Sequence, residues 1–195
     1  MPAVPLTPWT PWWRTESLTE PEAVLLFRVH EAHADSARRD NISSVMLRSA
    51  YAGSGSFTGA IAGALLTLGG MHAPLEQTVE LLERERPELE AWQMLERGEF
   101  VPGWGNSFHR GTPDPIWTGV DACLREHFKP LAARLDAVSQ MMLNKRKGLV
   151  LLPNASAFTA AAAIAVGIPA RAAAWLFISG RLDAWAKSLM MSSIY

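Results

Sequence analysis

Cysteine is all but missing. Cys123 is the single one in 195 residues, so neither an intramolecular disulfide nor a cysteine-built zinc cage is open to this chain. A reducing compartment, the cytoplasm, is the setting this composition predicts. Net charge is also scarce: 18 Lys and Arg stand against 19 Asp and Glu, leaving −1. Without a basic surplus, a nucleic-acid binder held by phosphate contacts is not expected. No Lys or Arg precedes Arg14, and four prolines interrupt the first thirteen residues, so a secretory signal is not expected either. What the sequence does have is apolar content. At 49% hydrophobic residues it can bury a core, which excludes wholesale disorder and fits one ordinary domain, or a domain with a small lobe.

The longest uncharged stretch runs from Gly148 to Pro169 and is broken by Pro153 and Asn154. Its continuous helical part, Ala155 to Ile168, would be about 21 Å long, against about 30 Å for a hydrocarbon core. A buried helix is expected there, and no membrane association.

Residues 1–16 read as an extended arm set by proline, with Trp9, Trp12 and Trp13 as anchors for its own domain or for a partner subunit. Residues 17–195 read as one helical domain whose lobes the sequence does not separate. Periodicity places helices at Glu22–Ala37, with Val24, Leu25, Val29 and Ala32 inward, and then at Ile42–Tyr51 and Ser54–Leu68. Further helices are expected from Pro74 to Arg86, with Leu75, Val79 and Leu82 inward, and from Glu88 to Arg97. The third helix carries Gly55, Gly59 and Gly63. Each interior glycine costs a helix up to about 1 kcal/mol, so close approach by another helix is the expected reason. From Glu99 to Trp117 proline, glycine and polar residues make a structured loop. An amphipathic stretch follows from Pro115 to Leu143, with Pro130 placed to kink or split it. Helices at Ala155–Val166 and Ala170–Met191 complete an all-α reading.

Three polar bends fall between these helices: Gly70-Met71-His72-Ala73, Pro102-Gly103-Trp104-Gly105-Asn106 followed by Asp114-Pro115-Ile116, and Pro153-Asn154-Ala155-Ser156. His33-Ala34-Asp35-Ser36 stands upstream of them, and Gly180-Arg181 with Trp185 downstream. In this order the five elements resemble the citrate synthase superfamily, in particular its compact citryl-CoA lyase branch, shortened at both ends. The likeness spans about Leu26 to Ala186.

The resemblance implies a mostly helical, two-lobed subunit that works as a dimer, or paired with a related subunit, and holds an acyl-CoA between its lobes. It implies that His72 stabilises the enol of the acyl thioester and that His33 and Arg181 contact the substrate, Arg181 through a carboxylate. The Ser156 position is that of the general base, and the Asn106 position that of the residue polarising the acceptor carbonyl. Coenzyme A would lie against Gly103 and Gly105, whose missing side chains permit close approach. Its phosphates would lie near Lys145, Arg146 and Lys147. That basic run reads equally as a solvated helix end complementing the macrodipole.

The departures from the family pattern bear on the chemistry. Ser156 cannot accept a proton near neutral pH as a carboxylate does, and a positioned base contributes about 10²–10⁴-fold. Asn106 can still donate a hydrogen bond but cannot become a cation. Ser36 and Ile116 stand where the family has an imidazole and an arginine. Ordinary condensation of acetyl-CoA with oxaloacetate is therefore not expected. His109, three residues beyond Asn106, is a candidate for the missing imidazole. His30 and His33 read better as ordinary helix histidines than as a metal pair, and Cys123 as a small core residue. Three functions follow: a lyase-like enzyme acting on a carbon–carbon bond of an acyl-CoA, a non-catalytic relative that binds CoA or a partner subunit, and a structural helical dimer.

Overall fold

The computed structural model describes residues 13–37, 41–68, 72–105, 111–145 and 151–192. Among them the secondary structure is helical, with one isolated bridge between Trp104 and Pro153. In chain order the helices are α1 Glu20–Ser36, α2 Ile42–Ser54, α3 Phe57–Leu65, α4 Leu75–Glu83, α5 Pro87–Glu96, α6 Thr118–His127, α7 Lys129–Lys145, α8 Ala155–Ala165 and α9 Ala174–Ser192. Short 3-10 turns at Pro115–Trp117 and Ala170–Ala172 lead into α6 and α9.

Local chemistry sets the ends. The Glu22 carboxylate accepts from the Thr19 backbone N–H at 2.7 Å and hydroxyl at 2.8 Å, and Arg14 grips it with two N–H groups at 2.7 and 3.0 Å. These contacts fix the entry to α1. Trp13, the first described residue, donates its indole N–H to the Val166 carbonyl at 3.0 Å and lies 6.0 Å from the Trp175 ring. Trp9 and Trp12 lie outside the described residues. Asn41 caps α2, accepting from the Ser44 N–H at 3.1 Å. Gly55 ends α2 in the left-handed region at φ 63°, and Ser56 then caps α3. Ser54 and Gly55 therefore do not belong to the third helix as expected. Pro130 does split the long amphipathic stretch. The break falls at Phe128, and Arg125 braces the corner by bonding Asp121 at 2.9 Å and Asp136 at 2.8 Å through each of two nitrogens.

The helix at the centre is α8, buried from Ser156 through Ala163. Its alanines let α1, α4 and α7 pack against it. Leu25, Val29, Val79, Leu82, Trp117, Leu124, Leu135 and Val138 fill the surrounding core. Val24, expected inward, is 41% exposed, because α1 turns Leu25, Val29, Ala32, His33 and Ser36 to the interior instead. A second, smaller core joins Leu47 of α2, Ala60 and Ala64 of α3, and Trp185 and Leu189 of α9. The small residues of α3 act as expected at Gly63, where an added Cβ would sit 3.2 Å from the Ala50 Cβ on α2. No described helix is long and apolar enough to cross a membrane.

Candidate functional site

Two of the three polar bends are bonded to each other. The Gly105 N–H donates to the Leu152 carbonyl at 2.9 Å, and the Asn154 N–H donates to the Gly103 carbonyl at 2.9 Å. The Asn154 side chain completes the staple. Its Nδ2 donates to the Gly105 carbonyl at 2.8 Å, and its Oδ1 caps α8 by accepting from the Ser156 N–H at 2.8 Å. The Trp104 indole N–H reaches the Ser139 hydroxyl on α7 at 3.0 Å. The bend at 102–105 is thus pinned beside the start of α8, with Ser156 5% exposed at the junction.

Gly103 and Gly105 have φ of 88° and 93°, a region that favours glycine. At Gly103 an added Cβ would lie 2.6 Å from Thr78 Cγ2 on α4 and 3.2 Å from the Ala157 Cβ on α8. At Gly105 it would meet Leu151 Cδ2 at 3.3 Å. The close approach that these glycines allow is therefore made, in the first place, by the chain's own side chains.

The third bend is described from His72 onward, Gly70 and Met71 lying outside the described residues. It reaches the same region through aromatic contacts. His72 is half-buried and precedes Ala73, which takes a positive φ of 58°. Its ring meets Phe177 of α9 edge-on at 6.1 Å. His33 of α1 meets the same Phe177 ring at 4.8 Å and Trp117 at 4.9 Å. Arg181, one turn beyond Phe177, lays its guanidinium carbon 4.1 Å from the Phe177 ring centre. One phenyl ring thus gathers two imidazoles and a guanidinium.

The tautomer of His33 follows from its partners. The Thr159 hydroxyl donates to the Ala155 carbonyl at 2.7 Å, so it accepts at 2.8 Å from Nε2–H of His33. Nδ1 is left with a lone pair and no partner among the described residues. Burial, with help from Arg181 and His30, pushes the His33 pKa well below the ordinary histidine value. Burial and then Arg181 lower that of His72, whose Nε2 is also buried without a partner among the described residues.

Arg181 is 3% exposed, and each of its described hydrogen-bond partners is neutral. Nη1 donates to Asn41 Oδ1 at 2.8 Å and Ser43 Oγ at 2.9 Å, and Nη2 donates to Ser36 Oγ at 2.9 Å. Its Nε–H has no partner among the described residues. Burial pulls its pKa down to about 9, so it remains a cation at neutral pH. A buried guanidinium held by neutral oxygens keeps its charge available to an anion.

The structure therefore brings His33, His72 and Arg181 together around Phe177. It joins Gly103, Gly105 and Ser156 through the Asn154 staple and links the two groups through Thr159, one turn along α8 from Ser156. Asn106, His109, Arg146 and Lys147 lie outside the described residues, as does the side chain of Lys145. Among the described residues no group of three or more His, Cys, Asp or Glu is placed to hold a metal ion. Asp114 caps the 3-10 turn through the Ile116 N–H at 3.1 Å. A cavity of about 310 Å³ opens beside the staple, lined by Trp117, Phe158, Leu152 and Pro153. With Asp114, Asp121 and Asp136 also on its walls against Arg125, it does not suit phosphate groups.

Sequence reasoning missed Asn41, Thr159 and Phe177, and included Asn154 in a bend without its role as cap and staple. Two of them carried a signal: Asn41 and Asn154 stand two or three residues before the N–H groups they cap. Thr159 and Phe177 carried none beyond falling one helical turn from Ser156 and Arg181.

The all-α arrangement is a citrate synthase-like fold. Solved structures that share it include the following three. Citryl-CoA lyase from Hydrogenobacter thermophilus matches with a TM-score of 0.76 at 22% identity, over 90% of this chain and 70% of that one. Citrate synthase from Thermotoga maritima matches at 0.70 and 20% identity, over 89% of this chain and 49% of that one. ATP citrate lyase from Methanothrix soehngenii, in complex with citrate and coenzyme A, matches at 0.74 and 17% identity, over 93% of this chain and 33% of that one. No family model matches the sequence, and no curated protein matches it.

Proposed function

We propose that this chain is a citryl-CoA lyase-like protein that makes or breaks a carbon–carbon bond of an acyl-CoA thioester and is not an ordinary citrate synthase. The observation that carries the reading is Arg181, a buried cation bonded to neutral oxygens beside two histidines, an arrangement suited to a substrate carboxylate. The His72 ring, 6.1 Å from that of Phe177, is a neutral imidazole near pH 7 and able to donate to a developing enolate. Ser156 occupies the position of the base but cannot serve as one, so His109 or a bound water takes the proton. Coenzyme A enters as the acyl carrier, with its phosphates toward Lys145, Arg146 and Lys147.

Ile42, Val45 and Met46 on α2, with Phe57 and Leu66 on and beside α3, leave apolar side chains exposed. That exposure supports pairing with a second copy or a related subunit. The cytoplasm is the proposed location.

The test is a panel of acyl-CoA thioesters, including citryl-CoA and other 3-hydroxyacyl-CoAs, followed by mass spectrometry for a shorter acyl-CoA and a carbonyl product. Cleavage of at least one member is expected, and His72→Ala should slow it by about 10²-fold or more. The replacement of the base by Ser156 favours a second reading, a non-catalytic relative that binds CoA or a partner subunit. Binding of CoA without turnover of any member would establish that reading in place of the first.

A further inference from the structure

We propose that Asn41 is a positioning residue for Arg181, and that its neutrality is what leaves the guanidinium free to bind the carboxylate of a substrate. The inference rests on the reading of Arg181 as the carboxylate-binding residue, and adds to it how the charge is kept available.

Asn41 joins three helices. Its Oδ1 accepts from Nη1 of Arg181 on α9 at 2.8 Å, from the Ser43 hydroxyl at 2.9 Å and from the Ser44 N–H of α2 at 3.1 Å. Its Nδ2 donates to the Ser36 carbonyl at the end of α1 at 2.8 Å. Asn41 is 9% exposed and Arg181 3%, so the contact is shielded from bulk water. A guanidinium has five N–H donors. Asn41, Ser43 and Ser36 take three of them, leaving Nε–H and one hydrogen on Nη2 without a described partner. Those two belong to neighbouring nitrogens, the spacing that a carboxylate grips with both oxygens. The cradle thus fixes one edge of the guanidinium and leaves the other for a ligand.

An ordinary structural arginine buried this deeply is paired with Asp or Glu, because an unpaired buried charge is strongly unfavourable. Here the residue at the centre of the cradle is the uncharged isostere of aspartate. A carboxylate at position 41 would satisfy the guanidinium within the chain and compete with any ligand for its charge. Asparagine supplies the same acceptor oxygen and aims the side chain without neutralising it. Ser36 and Ser43 act alike, as neutral oxygens.

The test compares the intact wild-type chain with Asn41→Asp. Because that substitution also removes the Nδ2 bond to the Ser36 carbonyl, Ser36→Asp is included as a second route to the same charge. Thermal melts are recorded in buffer, with citrate, with oxaloacetate and with CoA. Wild-type Tm should rise with at least one of the two carboxylates. In both aspartate variants the carboxylate-induced rise should fall at least tenfold in apparent affinity, while the rise with CoA persists. At least one variant should match or exceed the wild-type Tm in buffer, which a residue of merely structural importance would not allow. Asn41→Ser, a neutral replacement, should retain part of the carboxylate response. An undiminished carboxylate response in a folded aspartate variant would overturn the role of Asn41. So would a wild type that binds CoA but neither carboxylate. Failure of the wild type to bind CoA would count instead against the acyl-CoA reading.

Discussion

Gly180→Ala is expected to destabilise the protein by about 3 kcal/mol, although alanine is the better helix former. A Cβ at this position of α9 would lie 2.6 Å from the His33 Cβ, 3.2 Å from the His30 carbonyl oxygen and 3.4 Å from the His30 Cα. Two of these atoms are backbone and the third is fixed to it, so rotation of a flexible side chain cannot relieve the overlap. Overpacking of this kind costs about 1–3 kcal/mol and sometimes more, against a gain of up to about 1 kcal/mol from helix propensity. The crossing of α1 and α9 also sets His33 against Phe177 and Arg181, so the loss should include the carboxylate response. Gly53 in α2 is the control. Nothing lies within 4 Å of the Cβ it would gain, and Gly53→Ala should leave stability unchanged or raise it by up to about 1 kcal/mol. Chemical denaturation of the two variants beside wild type measures both. Equal stability of Gly180→Ala and wild type would contradict the close crossing.

Stability should fall steeply as the pH drops below 6.5, earlier than carboxylate titration explains. His33 is fully buried and its folded-state pKa lies well below 6.5, so the folded protein holds it neutral. Below pH 6.5 the unfolded chain takes up a proton that the folded chain refuses. The stabilisation is complete above the unfolded-state value and disappears as pH falls toward the folded-state value, at about 1.4 kcal/mol per pH unit. His72, also lowered, adds a loss of the same sign over its own window. The carboxylates held low by arginine partners, Glu22 and Asp136, start from 4.5 and 3.8 and lose their contribution only at more acid pH. Melts between pH 7.5 and 5 should therefore show a falling Tm in the wild type. His33→Gln, which keeps an N–H toward the Thr159 hydroxyl, should flatten the fall. A wild-type Tm that does not change across this interval would contradict the neutral, buried His33.

The helices are legible in the sequence because their apolar spacing and their caps agree. The break before Pro130 and the start of α4 after Pro74 can be placed from local chemistry alone, whereas α5 begins at Pro87, one residue before the expected Glu88. Errors arise where local signals conflict. Ser54-Gly55-Ser56 reads as the start of one small-residue helix, yet Gly55 closes α2 and Ser56 opens α3. Val24 lies on the apolar stripe of α1, yet the helix is turned to bury His33 and Ser36, which hydropathy alone does not anticipate. The family pattern leads to His33, His72, Gly103, Ser156 and Arg181, but not to how they are held. Arg181 and Asn41 are 140 residues apart in the chain, and His33 and Thr159 are 126 apart. No spacing rule connects them, because the contacts exist only once α2 has packed on α9 and α1 on α8. Gly103 carries the same lesson. Its lack of a side chain reads as room for a ligand, whereas Thr78 of α4 takes the space first.

The proposed function requires that the bends at His72, Gly103–Gly105 and Pro153–Ser156 form one crevice for an acyl-CoA. The decisive experiment is a crystal structure of the chain grown with CoA and citrate. The thiol end of CoA is expected between the His72 imidazole and the Ser156 hydroxyl, with a citrate carboxylate on the Nε edge of Arg181. CoA bound away from both residues, or citrate bound with Arg181 untouched, would contradict the proposal.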